Sequence, residues 1–222
     1  MQEITKKFGL YDHWGYIITG LYQICVMYIP YCLVAGVEIR SILGIFKIEN
    51  SIALLLGSYL VGHLVQAISN IFDKWESRKK NEKNKNFAFV VEKGRKFFDL
   101  PLELSDREVW QYCYLYALSN DFSGHVLLFN SMHSLYRGFW VASGLGFLFG
   151  AAVTIIQLVS FAIDKFFTKT GNYNFPSWTL IVFIGITFVF YVLFNRRKKR
   201  FFEYMGEKTL ITFDILSKKL IN

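Results

Sequence analysis

The sequence predicts an all-α integral membrane protein with about four transmembrane helices, both termini on the cytoplasmic side, and helical cytoplasmic extensions. Two observations carry this. Four long apolar runs contain no Asp, Glu, Lys or Arg, and Lys and Arg gather in alternate connecting segments. Composition agrees: 53% of the 222 residues are hydrophobic, 18% are aromatic, and mean hydropathy is +0.30. That is more apolar surface than one soluble core of this size hides, so a second apolar solvent is implied.

The runs are Gly15 to Val37, Ile52 to Phe72, Gly138 to Ile163 and Trp178 to Phe194. A span needs ~20 apolar residues at ~1.5 Å rise to cross a ~30 Å hydrocarbon core. The absence of charge within them matters because a charge at mid-bilayer costs ~2.5–3.5 kcal/mol or more. Of the 25 Lys and Arg, 21 lie in segments 1–14, 73–137 and 195–222, and the loops 38–51 and 164–177 hold two each. The positive-inside rule then places the first three segments in the cytoplasm. Five parts follow: a cytoplasmic tail (1–14), spans one and two (15–72), a cytoplasmic helical segment (73–137), spans three and four (138–194) and a basic C-terminal helix (195–222). The first apolar run is long and lacks a small-x-small cleavage site, which predicts an uncleaved signal-anchor helix.

Local signals describe the segment 73–137. Charged residues after Phe72 extend the second helix. Phe87 to Val91, then Gly94, then Phe97 and Phe98 predict a short hairpin turning at Gly94. Ser105 with Glu108 three residues later is a capping box that opens a helix. Asn120 to Gly124 closes it with a turn. Phe122, Val126, Phe129, His133, Tyr136 and Trp140 then recur every three or four residues, one face entering the third span. Phe202, Met205, Thr209, Phe213, Leu216 and Leu220 predict an amphipathic helix in the tail.

Several chemistries lack their residues. Cys25, Cys32 and Cys113 form no CxxC and are odd in number, so they read as reduced structural thiols. There is no phosphate-binding glycine loop and no metal-binding histidine box, so no metal and no cofactor are expected. No carboxylate sits inside a span, as proton-coupled transport would need. The chain reads as a non-enzyme.

Three patterns remain. Gly138, Ala142, Gly146, Gly150 and Thr154 recur every fourth residue, a small-residue ridge for close helix packing within or between subunits. Tyr59, His63, Gln66 and Asn70 form a polar stripe on the second span. It lines a pore or gate, or it supplies hydrogen bonds between helices. Arg78, Lys79 and Lys80, with Arg196, Arg197, Lys198 and Arg200, lie among aromatics. They hold an anionic nucleotide or single-stranded oligonucleotide through phosphate contacts and base stacking, or they mark topology and attract anionic lipid.

The layout resembles the four-helix membrane effectors of prokaryotic antiphage systems. The strings that carry the likeness are Gly62-His63-Leu64-Val65-Gln66 in the second span, Leu135-Tyr136-Arg137-Gly138 entering the third and Arg196-Arg197-Lys198-Lys199-Arg200 leaving the fourth. They are similar in arrangement to channel-forming effectors of the Hailong and Kiwa type. The resemblance implies a multi-pass protein of the prokaryotic inner membrane. It further implies a homo-oligomer, with a tetramer expected, gated through its cytoplasmic part by a nucleotide-derived or protein signal. The alternative is a non-conducting scaffold or sensor that recruits a soluble cytoplasmic partner.

Overall fold

The computed structural model describes residues 2–35, 37–38, 44, 46–79, 85–121, 123–163 and 178–219, with the side chains of 2–13, 74–79, 85–86 and 219 left out. Six helices of more than one turn are described: α1 (Gln2–Ala35), α2 (Ser51–Lys79), α3 (Lys85–Phe98), α4 (Asp106–Asn120), α5 (His125–Ile163) and α6 (Trp178–Lys219). A 3-10 turn, Ile48–Asn50, precedes α2. No strand occurs among the described residues. Four helices are long and apolar enough to cross a membrane, over Trp14–Ala35, Ile48–Asp73, His125–Ile163 and Trp178–Lys218.

The chain divides into two compact units, each with its own packing. The apolar unit comprises His13–Asn70 and Leu135–Arg196. Here α1 and α2 cross with their backbones in contact. A Cβ on Gly20 would overlap the Ser58 carbonyl, and one on Gly62 would overlap the Tyr16 carbonyl. Only glycine permits such an approach, and dispersion across the close crossing replaces the hydrophobic drive that lipid does not supply. Val26, Val153, Leu180 and Phe183 form one buried cluster; Val65, Val141 and Ala142 form another. The Tyr22 hydroxyl meets Ser143 Oγ at 2.8 Å, so these polar groups satisfy each other inside the unit.

The charged unit comprises Met1–Asp12, Ile71–Ser134 and Arg197–Asn222. Its core joins Val90 and Val91 of α3, Val109, Cys113 and Ala117 of α4, and Phe213 of α6. The expected hairpin over 87–98 is instead the helix α3. Gly94 is not a turn residue: it is buried, and a Cβ there would overlap Cys113 Sγ. Val90, Val91, Gly94, Phe97 and Phe98 then fall at helical spacing on the face that meets α4. Glycine was needed for the approach of a neighbouring helix, which a sequence cannot distinguish from a turn.

The capping box at α4 forms. Ser105 Oγ accepts from Glu108 N–H at 3.4 Å, and the Glu108 carboxylate accepts from Ser105 N–H at 2.8 Å. The turn after α4 places Gly124 at φ 69°, a left-handed conformation that costs glycine little. Asp121 caps α5, accepting from Ser123 N–H at 3.0 Å and Val126 N–H at 2.8 Å. Burial opposes its ionisation, but the bonds from Ser123 and Val126 outweigh it and hold the carboxyl below its ordinary range. Phe122, first residue of the predicted face, lies outside the described residues. The remainder of that face runs without a break into the third apolar run.

The C-terminal segment is not a separate helix. α6 is continuous for 42 residues, ~63 Å at 1.5 Å per residue. Met205, Thr209, Phe213 and Ser217 are its buried stripe, while Phe202 is 51% exposed; Leu220 lies outside the described residues.

Burial pushes the Cys113 thiol up to about 11. At pH 8 its thiolate is then ~100-fold scarcer than for an ordinary cysteine, and the thiolate is the reactive form. Maleimide labelling of the folded chain at this position, followed by peptide mass, should be at least ~100-fold slower than in denaturant. Equal rates would mean the α3–α4 core is open.

Candidate functional site

The polar stripe of α2 does not stay together. Gln66 turns inward and is 5% exposed. Its Oε1 accepts from Arg137 Nη2 at 3.2 Å, and Ser69 Oγ lies 3.2 Å away while donating to the Gln66 carbonyl at 2.8 Å. This member of the stripe serves packing between α2 and α5. Tyr59 is half-buried and lies edge-on to Tyr16, with ring centroids 6.1 Å apart.

His63 and Asn70 remain on the exposed face. The His63 ring stacks on Tyr16 at 3.9 Å and meets Tyr59 edge-on at 4.5 Å, which fixes its orientation at the α1–α2 seam. Its neighbours on that face are Leu60 and Leu64, 64% and 65% exposed, and Ala67. His63 stands ten residues from Asp73, the end of the apolar stretch, or ~15 Å along the helix, which in a spanning helix would be near the middle of a ~30 Å core. Ionisable side chains at such depth normally face protein or a water-filled cavity.

The small-residue ridge of α5 is spent within the chain. A Cβ on Gly138 would lie 2.6 Å from Thr19 Cγ2 of α1 and 2.8 Å from Gln66 Nε2 of α2. One on Gly146 would overlap Val26 of α1, and one on Gly150 would lie 3.1 Å from Ile184 Cγ1 of α6. Ala142 is fully buried, and Thr154 Oγ1 donates to the Gly150 carbonyl at 2.9 Å. The ridge lets α1 and α6 approach α5.

The basic candidates also divide. Arg196, Arg197 and Arg200 are exposed. Arg200 Nε donates to the Tyr204 hydroxyl at 2.7 Å, with its guanidinium 5.3 Å from that ring centre. Lys198 is 3% exposed and donates to Asp73 Oδ1 at 3.0 Å. His133 Nε2 lies 3.9 Å from the other Asp73 oxygen, and its Nδ1 lies 3.1 Å from the Lys198 carbonyl. Lys198 thus belongs to a buried cluster and is turned away from solvent. The side chains of Arg78, Lys79 and Lys80 lie outside the described residues.

Sequence reasoning missed Arg137, Ser69 and the Asp73–His133–Lys198 cluster. The signal was present for the last: a carboxylate at the end of an apolar run needs a cation, and Lys198 lies at the end of another. Among the described residues, no three His, Cys, Asp or Glu side chains gather as a metal ion would require.

No protein-family profile, curated protein or solved structure matches this chain. The fold therefore defines its class: an all-helical protein with four helices able to cross a membrane.

Proposed function

We propose that this chain is the subunit of a homo-oligomeric membrane channel, with both termini in the cytoplasm, gated through its cytoplasmic helices. The observation that supports this reading best is His63, an imidazole at mid-span on an exposed face, with Asn70 two turns further along. Against lipid, both groups would forfeit their hydrogen bonds. Against other copies around a wet axis, they are solvated. Four copies with α2 innermost satisfy this.

Gating has a simple route in the chain. α5 and α6 each carry a span and a charged segment in one unbroken helix, and gating would pass along them. A ligand moves the equilibrium only by its difference in affinity between the closed and open arrangements. The exposed Arg196, Arg197 and Arg200, with Arg78, Lys79 and Lys80 of α2 and the segment after it, suit an anionic, nucleotide-derived ligand. Membrane lipid is their other neighbour. The layout resembles that of Hailong- and Kiwa-type effectors, and the setting that resemblance implies is antiphage defence in a prokaryotic inner membrane, where opening would collapse the ion gradient.

The test is potassium flux from liposomes holding the purified protein, with and without cytosolic nucleotides and short single-stranded oligonucleotides. Flux that responds to one of them is the expected result, and His63→Leu should reduce it at least tenfold while leaving the oligomer intact. No flux under any condition from an intact oligomer would overturn the channel and leave the recruiting scaffold.

A further inference from the structure

The charged unit carries a groove of about 410 Å³ between α3 and α6. Phe89, Leu210, Ile211 and Ile215 line it, and Phe89, Ile211 and Ile215 are 47%, 41% and 52% exposed. Three large apolar side chains open to water in one concavity mark a contact surface. Lys93 and Lys218 flank the groove, and both donate to the single carboxylate of Asp214. Those bonds, Lys218 first and then Lys93, hold the Asp214 carboxyl below its ordinary range. One positive charge is left over at the rim.

We propose that this groove receives α4 of a second copy of the chain, joining charged units head to tail. The proposal rests on the homo-oligomeric reading above. The inner face of α4 is used up: Val109, Cys113 and Ala117 are fully buried against α3 and Phe213. Its opposite face presents Tyr112 and Leu115, 52% and 59% exposed, with Glu108 one turn before Tyr112. That is an apolar ridge of the kind a groove between two helices accepts.

Charge agrees. Residues 99–120 carry four acidic side chains and one basic, α3 carries four basic and one acidic, and the groove itself has two lysines to one aspartate; Asp106 and Arg95 already pair within the chain at 2.9 Å, which leaves the excess of each sign in place. Such complementarity fixes register and disfavours the groove-to-groove alternative, which sets lysines against lysines. Direction agrees as well. On α6, Phe213 points into the core that α4 completes, while Ile211 and Ile215 lie on the side away from it. The groove and the outer face of α4 therefore look different ways, and a contact between unlike faces builds a ring when the rotation closes.

The experiment is cross-linking of the full chain in its membrane. Leu115→Cys with Ile211→Cys, treated with a short bis-maleimide, should give a ladder of covalent multimers. Neither single variant nor the unsubstituted chain should give one. Lys218→Glu, at a position 71% exposed in its side chain, should cut the ladder at least fivefold without loss of folded protein. A ladder from Ile211→Cys alone would overturn the head-to-tail contact. No ladder from a complex that native mass shows to hold several copies would overturn the groove and leave the channel reading standing. A single copy by native mass would overturn both.

Discussion

Gly62→Ala should destabilise the apolar unit by about 3 kcal/mol, at the upper end of overpacking costs. Alanine is the better helix former by ~1 kcal/mol, so propensity alone predicts a gain. Geometry reverses the sign. The new methyl would overlap the Tyr16 carbonyl oxygen, a backbone atom that no rotamer change can move away. Relief requires α1 and α2 to separate, and separation forfeits dispersion along the whole crossing. It would also unseat His63 from Tyr16, since both rings hang on that seam. Gly20→Ala meets the Ser58 carbonyl at the same crossing, so the double variant should fall short of the sum of the two. Gly185→Ala is the comparison: no atom stands within 4 Å of its Cβ, and the change should be neutral or mildly stabilising. Melting temperature in detergent, read by size-exclusion chromatography after heating, measures all four. If Gly62→Ala melts with the unsubstituted chain, the α1–α2 crossing described above does not hold.

Lys198→Ala should cost about 2–3 kcal/mol, whereas Arg197→Ala and Arg200→Ala stay within ~0.5 kcal/mol. The two arginines are exposed, and truncating them leaves nothing stranded. Removing Lys198 leaves Asp73 beside His133 without the ammonium that now meets its carboxylate at 3.0 Å. The cost falls below the ~3–5 kcal/mol of a fully buried broken pair because the Asp73 side chain is 25% exposed and keeps some water. Asp73→Ala combined with Lys198→Ala should recover at least half of the loss, because the stranded charge is the expensive part. Denaturant melts of the four variants decide it. Equal effects across the basic run would mean that position 198 is as exposed as its neighbours. The distinction matters for ligand work, since weaker binding by a Lys198 variant would report folding rather than contact.

Much of this was legible without a fold. Uninterrupted apolar length gives the four helices able to span a membrane, because the cost of a charge in hydrocarbon is paid residue by residue and can be summed along a string. The capping box at Ser105 and the turn at Gly124 were legible for a similar reason: each is closed by groups within four residues of one another. The cationic segments could be located by counting, but not the fate of each cation. Lys198 and Arg197 are neighbours with the same charge, and only the presence of Asp73 on another helix turns one inward.

The polar stripe shows the same boundary. Spacing put Tyr59, His63, Gln66 and Asn70 on one side of α2, but a side of a helix is broad, and α1 and α5 each claim part of it. Gln66 went to Arg137, His63 to the Tyr16 ring, and Asn70 stayed outside. Glycine was the least legible residue of all. Gly94, Gly62 and Gly185 look alike in a string, yet the first fits against a sulfur, the second against a carbonyl and the third against nothing. Which stretches are long and apolar enough to span, and where charge must stay in water, can be read along the string because both depend on solvent. Which faces meet could be seen only in the fold, because that depends on which second helix arrives at each one.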